Sequence, residues 1–175
     1  MGQAHSHPTG FQFTSKDCEV PYAFRMKPIL LSIDVQASQA TVWTAITKIE
    51  DCHLRLPSVK NIEMLTEGGV GLGTRWRETR VMFGKETTET LEIEAFNPPS
   101  EYTAVIKSCA CEYRATLRLK PHVNGTRLEQ EFNARPLGLM AKIMAVIMMP
   151  LMIGSIRKMI QGDLDAIKRH CEAKS

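Results

Sequence analysis

Between residues 59 and 135 the chain alternates apolar and polar side chains with a period of two, interrupted at near-regular intervals by turn-forming residues. No other feature constrains the fold as strongly, because period two is the spacing of a strand with one face buried and the other wet. The spacing predicts strands at about 59–66, 73–83, 86–96, 101–109, 111–120 and 126–135. Between them stand Gly68-Gly69-Val70-Gly71, Gly84-Lys85, Asn97-Pro98-Pro99-Ser100 and Asn124-Gly125, residues that supply positive φ or preset a turn. Breaks this short join antiparallel neighbours. Alternation is clearest where Tyr113, Ala115, Leu117 and Leu119 interleave with Arg114, Thr116, Arg118 and Lys120.

Helical spacing flanks this block on both sides. Ile29, Leu31, Ile33 and Val35 form the apolar face of a first strand, which brings the sheet to about seven. Ser38 then caps a short helix over 39–48 that carries Val42, Trp43, Ile46 and Ile49 on one stripe. A second short helix over 50–56 stops at Pro57. At the far end Pro136 takes the first helical position, where its missing N–H costs nothing. Apolar residues then recur at helical spacing from Leu137 to Ile167, in an element of about 34 residues or ~50 Å. Pro150 is expected to kink it, and Lys168, Arg169 and Lys174 suit its C-terminus. The class is α+β, with an antiparallel sheet, two short helices and one long C-terminal helix.

The 175 residues suit one domain, over 28–175, preceded by a poorly ordered extension over 1–27 that has no period of either kind. That extension contains His5 and His7, read as incidental, and begins with the short myristoylation pattern Met1-Gly2-Gln3-Ala4-His5-Ser6, common by chance. A net charge of +3, with bases and acids interleaved, is a solvated surface and excludes a nucleic-acid footprint. Cys18, Cys52, Cys109, Cys111 and Cys171 match no zinc or disulfide spacing and read as reduced packing thiols, so no metal is expected. Without a signal-peptide pattern, a cytoplasmic location is expected. The uncharged run 143–156 is too short for a membrane span, and Pro150 interrupts it, so it reads as a buried helix.

In this order the elements resemble the helix-grip fold of the START-like superfamily, also called SRPBCC and labelled polyketide cyclase/dehydrase and lipid transport. The likeness is carried by Ser38-Gln39-Ala40-Thr41-Val42-Trp43, by Gly71-Leu72-Gly73-Thr74-Arg75-Trp76-Arg77-Glu78, by Asn97-Pro98-Pro99 with Tyr102, and by Gly125-Thr126-Arg127-Leu128, and it spans about 29–171. It implies a sheet curved around the long helix, enclosing a hydrophobic cavity for a lipid, polyketide or quinone. The function so implied is noncatalytic binding or transport, without a cofactor and with at most transient membrane contact. The alternative is a cyclase or aromatase of the polyketide type. Neither residues nor resemblance sets an oligomeric state.

Strand parity selects the side chains that would face such a ligand. They are Trp76, Glu78, Arg80, Met82, Leu91, Ile93, Tyr102, Ile106, Tyr113, Leu117, Leu128 and Phe132 from the sheet, with Met144, Met148, Met152 and Ile156 from the helix. Six of the ten methionines lie between residues 140 and 159, a wall that adapts to varied shapes. Glu78 and Arg80 share the parity of Trp76, so burial requires them to pair with each other, with a ligand, or with a tyrosine such as Tyr113. In the cyclase alternative, Glu78, Arg80 and Tyr113 would orient or protonate an enol. No nucleophile elbow, phosphate loop, dinucleotide fingerprint or zinc helix is present, and no catalytic residue is assigned. The glycine-rich stretch 68–73 is expected to border the cavity, while His53 and His122 are expected at the surface with no partner acid.

Overall fold

The structure is a computed structural model that describes residues 27–173, apart from Phe83, Cys109 and the side chains of Met140, Met144 and Met149. The amino-terminal extension with His5, His7 and Cys18, the pairing of Cys109 with Cys111 on one face, and the side chain of Met144 therefore lie outside the described residues.

Seven strands form one antiparallel sheet: β1 (Ile29–Val35), β2 (Val59–Met64), β3 (Arg75–Met82), β4 (Lys85–Asn97), β5 (Glu101–Ser108), β6 (Cys111–His122) and β7 (Gly125–Pro136). Their spatial order is β1-β7-β6-β5-β4-β3-β2. Every link from β2 to β7 is therefore a local hairpin or loop, and β1 reaches its partner only across the length of the chain. Register follows the turns: Met82 pairs with Lys85 around Gly84, which has a φ of +75°, and Ser108 pairs with Cys111. A register shift between Ile93 and Ala95 bends β4 and helps curl the sheet.

The helices cover the concave side. α1 (Gln39–Thr47) starts at Ser38, whose Oγ accepts the Thr41 N–H at 3.1 Å. It buries Val42, Ala45 and Ile46, and a 3-10 turn (Ile49–Asp51) leads into the single-turn α2 (Cys52–Arg55). α3 (Leu139–Glu172) has 34 residues. It starts later than Pro136 would place it. Pro136 instead ends β7 opposite Cys111, and the Leu137 N–H donates to the Ala110 carbonyl at 2.8 Å, so strand pairing persists until Gly138 caps the helix. α3 turns by 72° between Ala141–Met148 and Pro150–Glu172. Proline causes such a bend, because it removes one helical hydrogen bond and its ring crowds the preceding turn. Among the described residues no single helix is long and apolar enough to cross a membrane.

The core fills only part of the space beneath α3. Ile156, Ile160, Leu164, Ile167 and Cys171 of its second half pack with Ile29 and Val35 of β1, Leu128 of β7, and Val42 and Ile46 of α1.

Candidate functional site

The concave face carries one parity from every strand, but its two ends differ. At one end Trp76, Ile93, Tyr102, Leu117, Leu119 and Leu128 are buried in the core. At the other, beneath the first half of α3, lies a hollow of about 450 Å³. Its walls are Met82, Leu91, Ile106, Tyr113 and Phe132 from the sheet and Met148, Met152 and Ile156 from the helix, with Glu78, Arg80 and Asp163 at the deep side. Tyr113 and Phe132 stack with ring centres 6.0 Å apart.

Ten of the predicted ligand-facing residues border this hollow: Glu78, Arg80, Met82, Leu91, Ile106, Tyr113, Phe132, Met148, Met152 and Ile156. Trp76, Ile93, Tyr102 and Leu117, with Leu128, do not. They have the expected parity yet sit where core side chains have filled the space. Period two fixes the face of a residue and says nothing of its height along the strand. Trp76 still touches the site indirectly, since its Nε1–H donates to Glu78 Oε2 at 3.3 Å. The Tyr102 hydroxyl donates to the Ile46 carbonyl at 3.2 Å, and burial pushes its pKa well above the usual phenol range.

Glu78 and Arg80 pair with each other, as burial demands, through Arg80 Nε and Glu78 Oε1. Their further partner is Asp163 of α3, which the sequence reading missed. Arg80 Nη1 donates to Asp163 Oδ2 at 2.6 Å and to Ser58 Oγ at 3.0 Å, and Ser58 Oγ donates to Asp163 Oδ1 at 3.0 Å. One guanidinium thus joins strand, loop and helix. Burial alone would lower the Arg80 pKa, but the charges of Glu78 and Asp163 and their hydrogen bonds more than reverse this and hold it above the ordinary arginine value. Asp163 falls on the stripe of Ile156 and Ile160 at helical spacing, a signal that could have identified it.

Glu89 and Thr87 also line the hollow, opposite Glu78 and Arg80 in the β3–β4 hairpin, a register countable from Gly84. Glu89 Oε1 accepts the Ser108 hydroxyl at 3.0 Å. The charged residues lining the hollow are therefore three carboxylates, Glu78, Glu89 and Asp163, against the guanidinium of Arg80.

Two expectations need correction. The glycine-rich stretch does not border this hollow: Gly68, Gly69 and Val70 line a separate open groove with Trp43, Met64 and Phe96. The reason is topological, since the β2–β3 connection lies at the Arg75 end of β3 and the hollow at the Met82 end. His122 does have a partner acid, for its Nε2 lies 3.5 Å from Asp34 Oδ2, in a cluster with Arg127. The β1–β7 pairing brings these residues together across the sequence, so no local spacing announces them. His53 Nδ1 lies 3.0 Å from the Glu50 carbonyl.

A curved seven-stranded antiparallel sheet, two short helices and a long C-terminal helix define the helix-grip class. The chain belongs to the family described as Polyketide cyclase / dehydrase and lipid transport, which matches residues 29–172. No curated protein matches the sequence. Among solved structures, it is similar to a protein of Thermus thermophilus at 17% identity, covering 85% of this chain and 99% of that one, with a TM-score of 0.70. A START superfamily protein from Mycobacterium smegmatis is 12% identical over 85% of this chain and 99% of its own, with a TM-score of 0.67. The Zhui aromatase/cyclase from a Streptomyces species is 17% identical over 83% and 93%, with a TM-score of 0.65. At such identities these likenesses establish the fold.

Proposed function

We propose that the chain binds and carries a small hydrophobic molecule of the lipid, polyketide or quinone class in the hollow beneath α3, without converting it. The observation that carries this reading is a space of about 450 Å³ with mostly apolar walls and a few polar groups among them. Displacing water from apolar walls supplies affinity, and a few polar groups orient the guest. The charge balance adds a preference: three carboxylates against one guanidinium disfavour an anionic head and favour a neutral hydrogen-bond donor. A carrier reading also fits Glu78 and Arg80, whose hydrogen-bonding groups are engaged with each other, with Trp76 and with Asp163.

Native mass spectrometry of the purified protein tests the reading, together with displacement of a fluorescent lipid by a long-chain alcohol and by the fatty acid of equal length. The expected result is a co-purified guest and tighter binding of the alcohol. An empty spectrum combined with no displacement by either amphiphile overturns it.

A second reading, cyclisation of a polyketide-like substrate, is supported by Glu78, Arg80 and Tyr113 all lining the same hollow. Turnover of a polyketide-like substrate that Glu78→Gln abolishes while binding persists would establish it over the carrier.

A further inference from the structure

The first half of α3, together with the turn that follows Pro150, is apolar on both sides. Ala141, Ala145, Met148 and Met152 line the hollow, while Leu139, Ile143, Val146, Ile147 and Leu151 are exposed, and Leu137 extends the patch just before the helix. A helix apolar all round is at home only when both sides are covered. Among the described residues, nothing covers the outer one.

The charges nearby indicate what does. Residues 132–162 include Arg135, Lys142, Arg157 and Lys158 and not one Asp or Glu, in a chain whose 22 bases and 19 acids are elsewhere interleaved. Among the described residues none of these four cations is in an ion pair, whereas many sheet arginines are, such as Arg77 with Glu63, Arg114 with Glu94 and Arg118 with Glu101. An exposed apolar helix face whose stretch of chain carries cations outside ion pairs and no acid has the composition of an interfacial helix. Its complement is a surface that is greasy beneath and anionic on top. A second copy of the chain fits poorly, because a two-fold contact through this face would bring the same cations together.

We propose that the first half of α3 docks on an anionic lipid bilayer, with Leu139, Ile143, Ile147 and Leu151 at the acyl boundary and the four cations among the headgroups. The inner side of the same segment roofs the hollow, so the docked face and the hollow are separated by one helix. This goes beyond the carrier reading and does not depend on what the hollow holds.

The test is co-sedimentation of the full chain with vesicles of phosphatidylcholine alone and of phosphatidylcholine with about a third phosphatidylserine. The serine-containing vesicles are expected to retain about tenfold more protein, with the excess lost in high salt. Ile143→Asp/Ile147→Asp lowers that retention about tenfold, while Val123→Asp, at an exposed apolar residue in the β6–β7 turn, leaves it unchanged. Circular dichroism reports whether the double variant folds. Lys142→Glu, a change of charge alone, gives an independent loss if it does not. Equal retention of wild type and Lys142→Glu, retention by neither vesicle, or a dimer that the double variant splits without altering vesicle binding would overturn the proposal. Displacement of the fluorescent lipid in detergent-free solution reads the hollow separately, so failure of one reading is distinguishable from failure of the other.

Discussion

The two halves of α3 both carry apolar side chains at helical spacing and meet opposite surroundings. Beyond Pro150 the helix buries Ile156, Ile160, Leu164 and Ile167, with Leu164 at 0% exposure. Before it, Leu139 is 75% exposed and Ile147 58%, although the segment is the more apolar of the two. Hydrophobicity therefore does not explain which half packs. The packed half has β1, β7 and α1 to lie on and an acid, Asp163, to pair with Arg80, while the other half spans a hollow. Stability belongs to one segment and accessibility to the other, an arrangement suited to letting a guest in without unfolding the domain.

The contrast can be broken most severely at its anchor. Arg80→Ala leaves Glu78 and Asp163 without their shared cation and is expected to cost about 3–5 kcal/mol in urea denaturation. Retained stability would mean that the far half is held by packing alone. Leu164→Ala comes next, at about 2–5 kcal/mol, because a fully buried leucine leaves a cavity behind. A smaller effect is expected at Cys52, next to the same anchor, where burial lifts the thiol from its ordinary 9.0 to about 11. The unfolded chain releases that proton first, so this contribution is complete below pH 9 and falls as pH rises from 9 to 11. The urea midpoint of the wild type should accordingly drop more across that window than that of Cys52→Ser, and parallel curves would show that this end of the domain is wet. Smallest of all is Leu139→Ala, at a residue 75% exposed, expected within about 0.5 kcal/mol. A loss comparable to Leu164→Ala would erase the distinction between the halves.

Much of this architecture was legible in the residues. Period-two alternation and glycine or proline breaks placed the strands of β2 to β7 within a few residues, since hairpin register follows from turn chemistry. Burial logic also narrowed the partners of Glu78 and Arg80 to each other, a ligand or a tyrosine hydroxyl, and the first of these is found. What escaped was whatever depends on height or on distant pairing. Trp76, Ile93, Tyr102 and Leu117 share the face of the hollow but stand beside filled space, and no periodicity records where filling stops. Asp163 closes onto Arg80 from another element 83 positions away. His122 meets Asp34 only because the first and last strands adjoin. Pro136, suited to a helix start, ends a strand instead because β6 remains beside it to pair with.

Gly125 carries a consequence for the newborn polypeptide. A Cβ there would fall 2.2 Å from the Val35 carbonyl oxygen, so the last hairpin turn is wedged against the end of β1. Among the described residues β1 has no other strand neighbour, and its seven residues pair one by one with Thr126 through Phe132. During synthesis, β1 must therefore wait for its partner strand until the turn at Gly125 and the residues after it emerge.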